Sequence, residues 1–144
     1  DVPVIAAGGI VDGASMAAAF ALGADGVQLG TRMVATVESP IHDNWKQAIV
    51  DAKETDTVIV NRHHRPAMRA LRTERTARLE LDDERLALDP RQMMDLYFGG
   101  DMEAAVAMGG QVAGRIHSVE PVADVLRRTW TDCQTVLREL AERV

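Results

Sequence analysis

The sequence predicts an α/β fold: the C-terminal portion of a (β/α)8 TIM barrel, comprising its last two strand-helix units, followed by a mainly helical C-terminal segment. Three observations predict it. The chain opens as strand, glycine turn, helix, strand, glycine turn, through Pro3-Val-Ile-Ala-Ala-Gly-Gly-Ile10 and then Ala17 to Arg32. The turns after Ala7 and after Leu29 carry little side chain and fall at the ends of two adjacent parallel strands, which is how such a barrel builds a phosphate site. Finally, a whole barrel needs about 200 residues or more, and this chain has 144. Residue 2 already enters a strand, so the expectation is the last part of a larger enzyme. Three segments follow: residues 1–55 as the last two barrel units, 56–100 as a post-barrel insertion, and 101–144 as C-terminal helices.

Val4, Ile5, Ala6 and Ala7 form a short apolar run that reads as a strand buried on both faces, as in parallel sheets. Gly8 and Gly9 end it. Two readings stand for this pair: an ordinary tight turn, or a loop whose N–H groups an anion can approach closely. Asp12 is placed to cap the next helix. Met16, Ala17, Phe20 and Ala21 give that helix an apolar face, and Gly23 ends it. Val27, Gln28 and Leu29 form the second strand, closed by Gly30 and Thr31. A unit this short is expected to be a right-handed parallel crossover. Gln28 lies opposite in the pleat to Val27 and Leu29. It either faces the barrel mouth or sits hydrogen-bonded in the core. The Thr31 hydroxyl could join free N–H groups and a helix N-terminus in holding a phosphate.

Ser39-Pro40 has the form of an N-cap and first helical residue, predicting a helix over 40–53 with Ile41, Trp45, Ala48, Ile49 and Ala52 on one face. Thr57 to Val60 is rich in β-branched residues and predicts a strand. Residues 62–78 hold Arg62, Arg65, Arg69, Arg72, Arg75 and Arg78, followed by the acidic Glu80, Asp82, Asp83 and Glu84. They read either as a solvated surface whose arginines pair locally or as a basic lip for an anionic substrate. Asp101 to Met108 is expected to be a helix stopped by Gly109-Gly110. Residues 119–143 form a longer one, with Val122, Val125, Leu126, Thr129, Cys133, Val136, Leu137 and Leu140 along its apolar face. On that face Cys133 reads as a buried structural thiol.

These residues carry a family resemblance. The opening motif, the helix end Ala21-Leu-Gly-Ala-Asp-Gly-Val27, Leu29-Gly-Thr-Arg-Met33, Glu38-Ser-Pro-Ile-His42, Glu54-Thr-Asp-Thr57 and Gly109-Gly-Gln-Val-Ala-Gly114 resemble the nitronate monooxygenase (2-nitropropane dioxygenase-like) family. That family includes FMN-dependent enoyl-acyl-carrier-protein reductases. The resemblance covers nearly the whole chain. It implies FMN as cofactor, with Ala7, Gly8 and Gly9 as the first loop around its 5′-phosphate and Gly30 and Thr31 as the second. Gln28 joins them as a cofactor-binding residue. The resemblance also implies that the family's first six strands, its flavin-ring pocket and its catalytic histidine, on an upstream glycine-rich loop, precede residue 1. No histidine here is assigned a catalytic role.

The net charge of −6 argues against nucleic acid as a partner. No apolar run reaches membrane-spanning length. A single cysteine excludes an internal disulfide and fits a reducing, cytoplasmic compartment. The histidines have no metal-site spacing; His63-His64 diverge on any regular element, and His42 and His117 stand alone. The first functional expectation is an FMN-dependent nitronate monooxygenase acting on an alkyl nitronate and O2, and requiring its N-terminal barrel portion. The alternatives are an enoyl reductase using NAD(P)H, a barrel gripping a purine nucleotide, and a non-catalytic fragment.

Overall fold

The computed structural model describes residues 2–82, 85–87 and 89–143. Its first part is one parallel crossover. Strand β1 (Ile5–Ala7) leads through Gly8 and Gly9 into helix α1 (Gly13–Ala21) and returns as β2 (Gly26–Gln28). The strands pair in parallel with Ile5 opposite Gly26 and Ala7 opposite Gln28. Asp12 caps α1: its carboxylate accepts the Ser15 N–H at 2.8 Å, and the Ser15 hydroxyl returns to the cap backbone. Gly23, at φ +97°, turns the chain out of the helix.

The expected burial of β1 on both faces does not hold. Val4 and Ile5 are 60% and 55% exposed. β1 pairs with β2 alone among the described strands, and of its three residues only Ala6 is half-buried. The face of α1 also shifts. Gly13 and Ala17 are buried, whereas Ala21 is exposed.

A one-turn helix α2 (Thr31–Val34) follows β2, then α3 (Asp43–Asp51). The start expected at Ser39-Pro40 is corrected to His42. Its backbone N–H donates to the Tyr97 carbonyl at 2.7 Å, which holds this stretch extended. The His42 ring then caps the helix by accepting the Asn44 N–H at Nδ1, 3.1 Å away. Trp45 and Ile49 are buried as the periodicity requires. They meet Leu71, Leu96, Ala105, Ala107, Ala113 and Ile116 in the main core. Trp45 and Tyr97 pack edge to face, their centroids 5.0 Å apart.

The arginine-rich stretch fits the surface reading, in which its arginines pair locally. It contains strand β4 (Met68–Leu71), antiparallel to β3 (Thr57–Val60), and helix α4 (Glu74–Asp82). Its arginines pair locally: Arg72 and Arg62 with Glu80 at 3.3 and 3.9 Å, and Arg69 with the Thr57 hydroxyl. Arg75 donates to the Glu103 and Ala104 carbonyls. Asp83 and Glu84 lie outside the described residues. Helix α5 (Pro90–Tyr97) had an unread signal in Asp89-Pro90, an N-cap with proline at the first turn.

The helix expected over 101–108 is absent. Turns occupy 102–104. Residues 105–108 then run extended beside β4, with the Leu71 N–H donating to Ala107 and the Gly109 N–H to Arg69. Burial of Ala105, Val106 and Ala107 outweighs the helical preference of alanine. A 3-10 turn (Gln111–Arg115) leads to helix α6 (Val122–Ala141), shorter at both ends than the expected 119–143. α6 packs along α1, with Phe20 and Trp130 edge to face. Val125, Thr129 and Cys133 form its buried seam. No helix among the described residues is long and apolar enough to cross a membrane.

Candidate functional site

The two glycine turns lie side by side because β1 and β2 are parallel and in register. Gly8 and Gly9 hold φ of +86° and +77°, values that an L side chain rarely adopts. Gly30 precedes α2, and Thr31 opens it. Together with Ala7 and Gln28 they line one cavity of about 250 Å³. All six expected cofactor-binding residues therefore meet. Gln28 is exposed and faces this cavity, which rules out its core reading.

A third wall joins the site that the sequence does not announce. Gly110 and Val112 complete the lining with Ile10. The Gly110 N–H donates to the Thr31 hydroxyl at 2.8 Å. In the sequence, Gly109-Gly110 signals only the end of a segment, and nothing local joins it to Thr31.

The chemistry of this lining suits an anion. Among the described residues no charged side chain lines the cavity, so a phosphate meets no carboxylate there. Among the described residues neither the Gly9 nor the Thr31 backbone N–H has an acceptor. A Cβ built on Gly8, Gly9 or Gly30 would meet nothing within 4 Å, so open space lies over the backbone. Thr31 Oγ1 accepts from Gly110 and keeps its own proton to donate. Backbone amides presented this way bind phosphate without a cationic side chain.

The charged groups cluster in a separate cleft lined by Arg32, Arg115, Glu120 and Arg128. Arg32 is 4% exposed and donates to the Ala35 and Ser118 carbonyls and to Glu120 at 2.8 Å. Burial lowers its pKa, and Glu120 opposes that shift. Glu120 also accepts from Arg128 and from the Ser118 hydroxyl, each at 2.5 Å, and its pKa is held down to about 2. Arg128 is raised in turn, first by its hydrogen bond to Glu120. Cys133 lies buried nearby on α6; burial pushes its thiol pKa up, so it is a poor nucleophile. His117 is exposed beside this network, and His42 is a helix cap. Among the described residues no group of three His, Cys, Asp or Glu could hold a metal.

The chain is similar to known proteins over part or all of its length. FabK from Thermotoga maritima is 36% identical with a TM-score of 0.90, and the match covers 100% of this chain and 48% of that one. A nitroalkane oxidase from Streptomyces ansochromogenes is 27% identical with a TM-score of 0.72, covering 94% and 41% of the two chains. A probable nitronate monooxygenase of Staphylococcus saprophyticus is 49% identical over 61 residues, which are 42% of this chain and 17% of that protein. The match thus covers less than half of each of those two solved chains, and less than a fifth of that relative is aligned. The nitronate monooxygenase family model matches residues 1–141. With that match over all but the last three residues, the chain belongs to the nitronate monooxygenase family.

Proposed function

We propose that this chain forms the FMN-phosphate end of a TIM-barrel oxidoreductase that converts alkyl nitronates and O2 to a carbonyl compound and nitrite. The observation that carries the reading is the charge-free cavity where both glycine turns, Gln28 and Thr31 converge. The Gly9 and Thr31 amides would hold the phosphate, and the Thr31 and Gln28 side chains would add hydrogen bonds. When bound, the flavin supplies the redox chemistry, and these residues position it.

The same reading assigns the remaining barrel strands to the faces that this chain leaves open. Val4 and Ile5 on β1 are exposed, as are Leu126, Trp130, Leu137 and Leu140 along α6. In the proposal these surfaces pack against the N-terminal barrel portion, which would also bring the catalytic histidine. A second reading is favoured by the similarity to FabK across the whole chain. By the sequence resemblance, that branch would reduce an enoyl thioester with NAD(P)H.

The test uses the complete enzyme reconstituted with FMN. Aerobic release of nitrite from a small alkyl nitronate, with slow or no NAD(P)H-driven enoyl reduction, supports the first reading. The reverse pattern moves the protein to the reductase branch. Gly9→Val should release FMN, because it strains the backbone at positive φ and fills the space over the amides. Unchanged FMN affinity in that variant removes the phosphate assignment.

A further inference from the structure

We propose that Arg115 is a positioning residue: through its ion pair with Asp12 it clamps the third wall of the cavity to the first glycine loop. The inference rests on the reading of this cavity as an FMN-phosphate site. The first two walls, Gly8 to Ile10 and Gly30-Thr31, are fixed to each other by the β1–β2 ladder. The third wall, Gly110 to Val112, belongs to a segment with no such ladder to those strands. It reaches the second loop through the Thr31–Gly110 hydrogen bond. It reaches the first loop through Arg115, whose Nη2 donates to Asp12 Oδ2 at 2.5 Å across 103 positions of sequence.

The two ends of this pair are well placed for the role. Asp12 directs one oxygen, Oδ1, to the Ser15 N–H and hydroxyl and the other to Arg115. The carboxylate therefore joins the end of the glycine loop, the start of α1 and the 3-10 turn. Burial opposes its charge, but the Ser15 hydrogen bonds and Arg115 outweigh that and keep its pKa below the usual carboxylate value. Glu120, in the same polar cleft, is engaged by Arg32 and Arg128. The remaining acid of the cleft, Asp132, acts on Arg128. Asp12 is thus the carboxylate that holds Arg115. Both partners are roughly half exposed, so the pair contributes little to global stability. Its effect falls on where residues 110–115 sit.

The experiment compares wild type with Asp12→Asn, Arg115→Gln and the double variant in the full-length protein. Asparagine caps helices as well as aspartate, so Asp12→Asn removes the charge and keeps the cap. Each single variant should weaken FMN binding three- to ten-fold with little change in Tm, the double variant should be no weaker than either single, and Arg115→Lys should recover part of the loss. In the unliganded protein, amide hydrogen exchange over residues 110–115 should accelerate by the same factor in both single variants. Wild-type FMN affinity in both singles, or losses that multiply in the double variant, would overturn the clamp. So would unchanged exchange over 110–115, whether or not FMN binds. If wild type fails to bind FMN, the phosphate reading falls, and the exchange measurement alone decides the clamp.

Discussion

The hydroxyl of Thr31 accepts the backbone N–H of Gly110 at 2.8 Å, joining two glycine-containing turns 79 residues apart. The bond makes Thr31 a structural residue of the cavity as well as part of its lining. Thr31→Val keeps the side-chain shape and leaves the half-buried Gly110 N–H without its acceptor. It should cost about 1 kcal/mol of stability and weaken FMN binding, whereas Thr31→Ser should preserve both. Thermal unfolding and flavin titration of the two variants check this.

Glu120 makes stability depend on acid. Its hydrogen bond to Arg128, then that to Ser118, lowers its folded pKa from 4.5 to about 2. A lowered folded pKa adds stability that is complete above the unfolded value and is lost as pH falls toward the folded one. The stabilisation, on the order of 2 kcal/mol after allowing for screening at the half-exposed Arg128, should therefore fade between about pH 4.5 and pH 2. Glu120→Gln should lower Tm at pH 7 and narrow its gap to wild type across that window. A gap that stays constant from pH 6 to pH 2.5 contradicts the assignment.

Gly13 marks a close approach of α1 to α6. A Cβ there would overlap the Cys133 backbone nitrogen and the Asp132 Cβ. Gly13→Ala should destabilise by about 1–3 kcal/mol, the range for overpacking. Gly30→Ala is the control: nothing lies within 4 Å of its Cβ position, and its φ of −99° is ordinary. It should change stability by less than about 0.5 kcal/mol. Denaturant midpoints measured side by side test the contrast.

Cys133 is 0% exposed, and burial raises its thiol pKa. Because the thiolate is the reactive form, a thiol reagent at pH 8 should label it only as fast as the protein opens. Labelling within the dead time in native buffer would show that α6 is not seated on α1.

Much of the site was legible because it is local. The order strand, Gly8-Gly9, helix, strand, Gly30-Thr31 sets a short parallel crossover, and that crossover alone puts the two turns on one rim. The Asp12 cap, the Gly23 stop and the buried face of Trp45 and Ile49 are likewise decided within one or two turns of chain. Where a tertiary bond opposed a local signal, the local signal lost. Ser39-Pro40 has the form of a helix start, yet the bond from His42 to Tyr97 keeps that stretch extended.

The sequence by itself determined the first two walls of the cavity and the family, because glycine turns and capping residues act over a few neighbours. The tertiary structure decided the third wall. Residues 105–108 are helix formers by composition, but pairing with β4 and burial of three of their side chains make them extended. That path delivers Gly110 to Thr31 and Arg115 to Asp12. Contacts 79 and 103 residues apart leave no periodicity or spacing to read. They exist because packing of the intervening chain places the half-buried Gly110 N–H and the Arg115 guanidinium beside these acceptors.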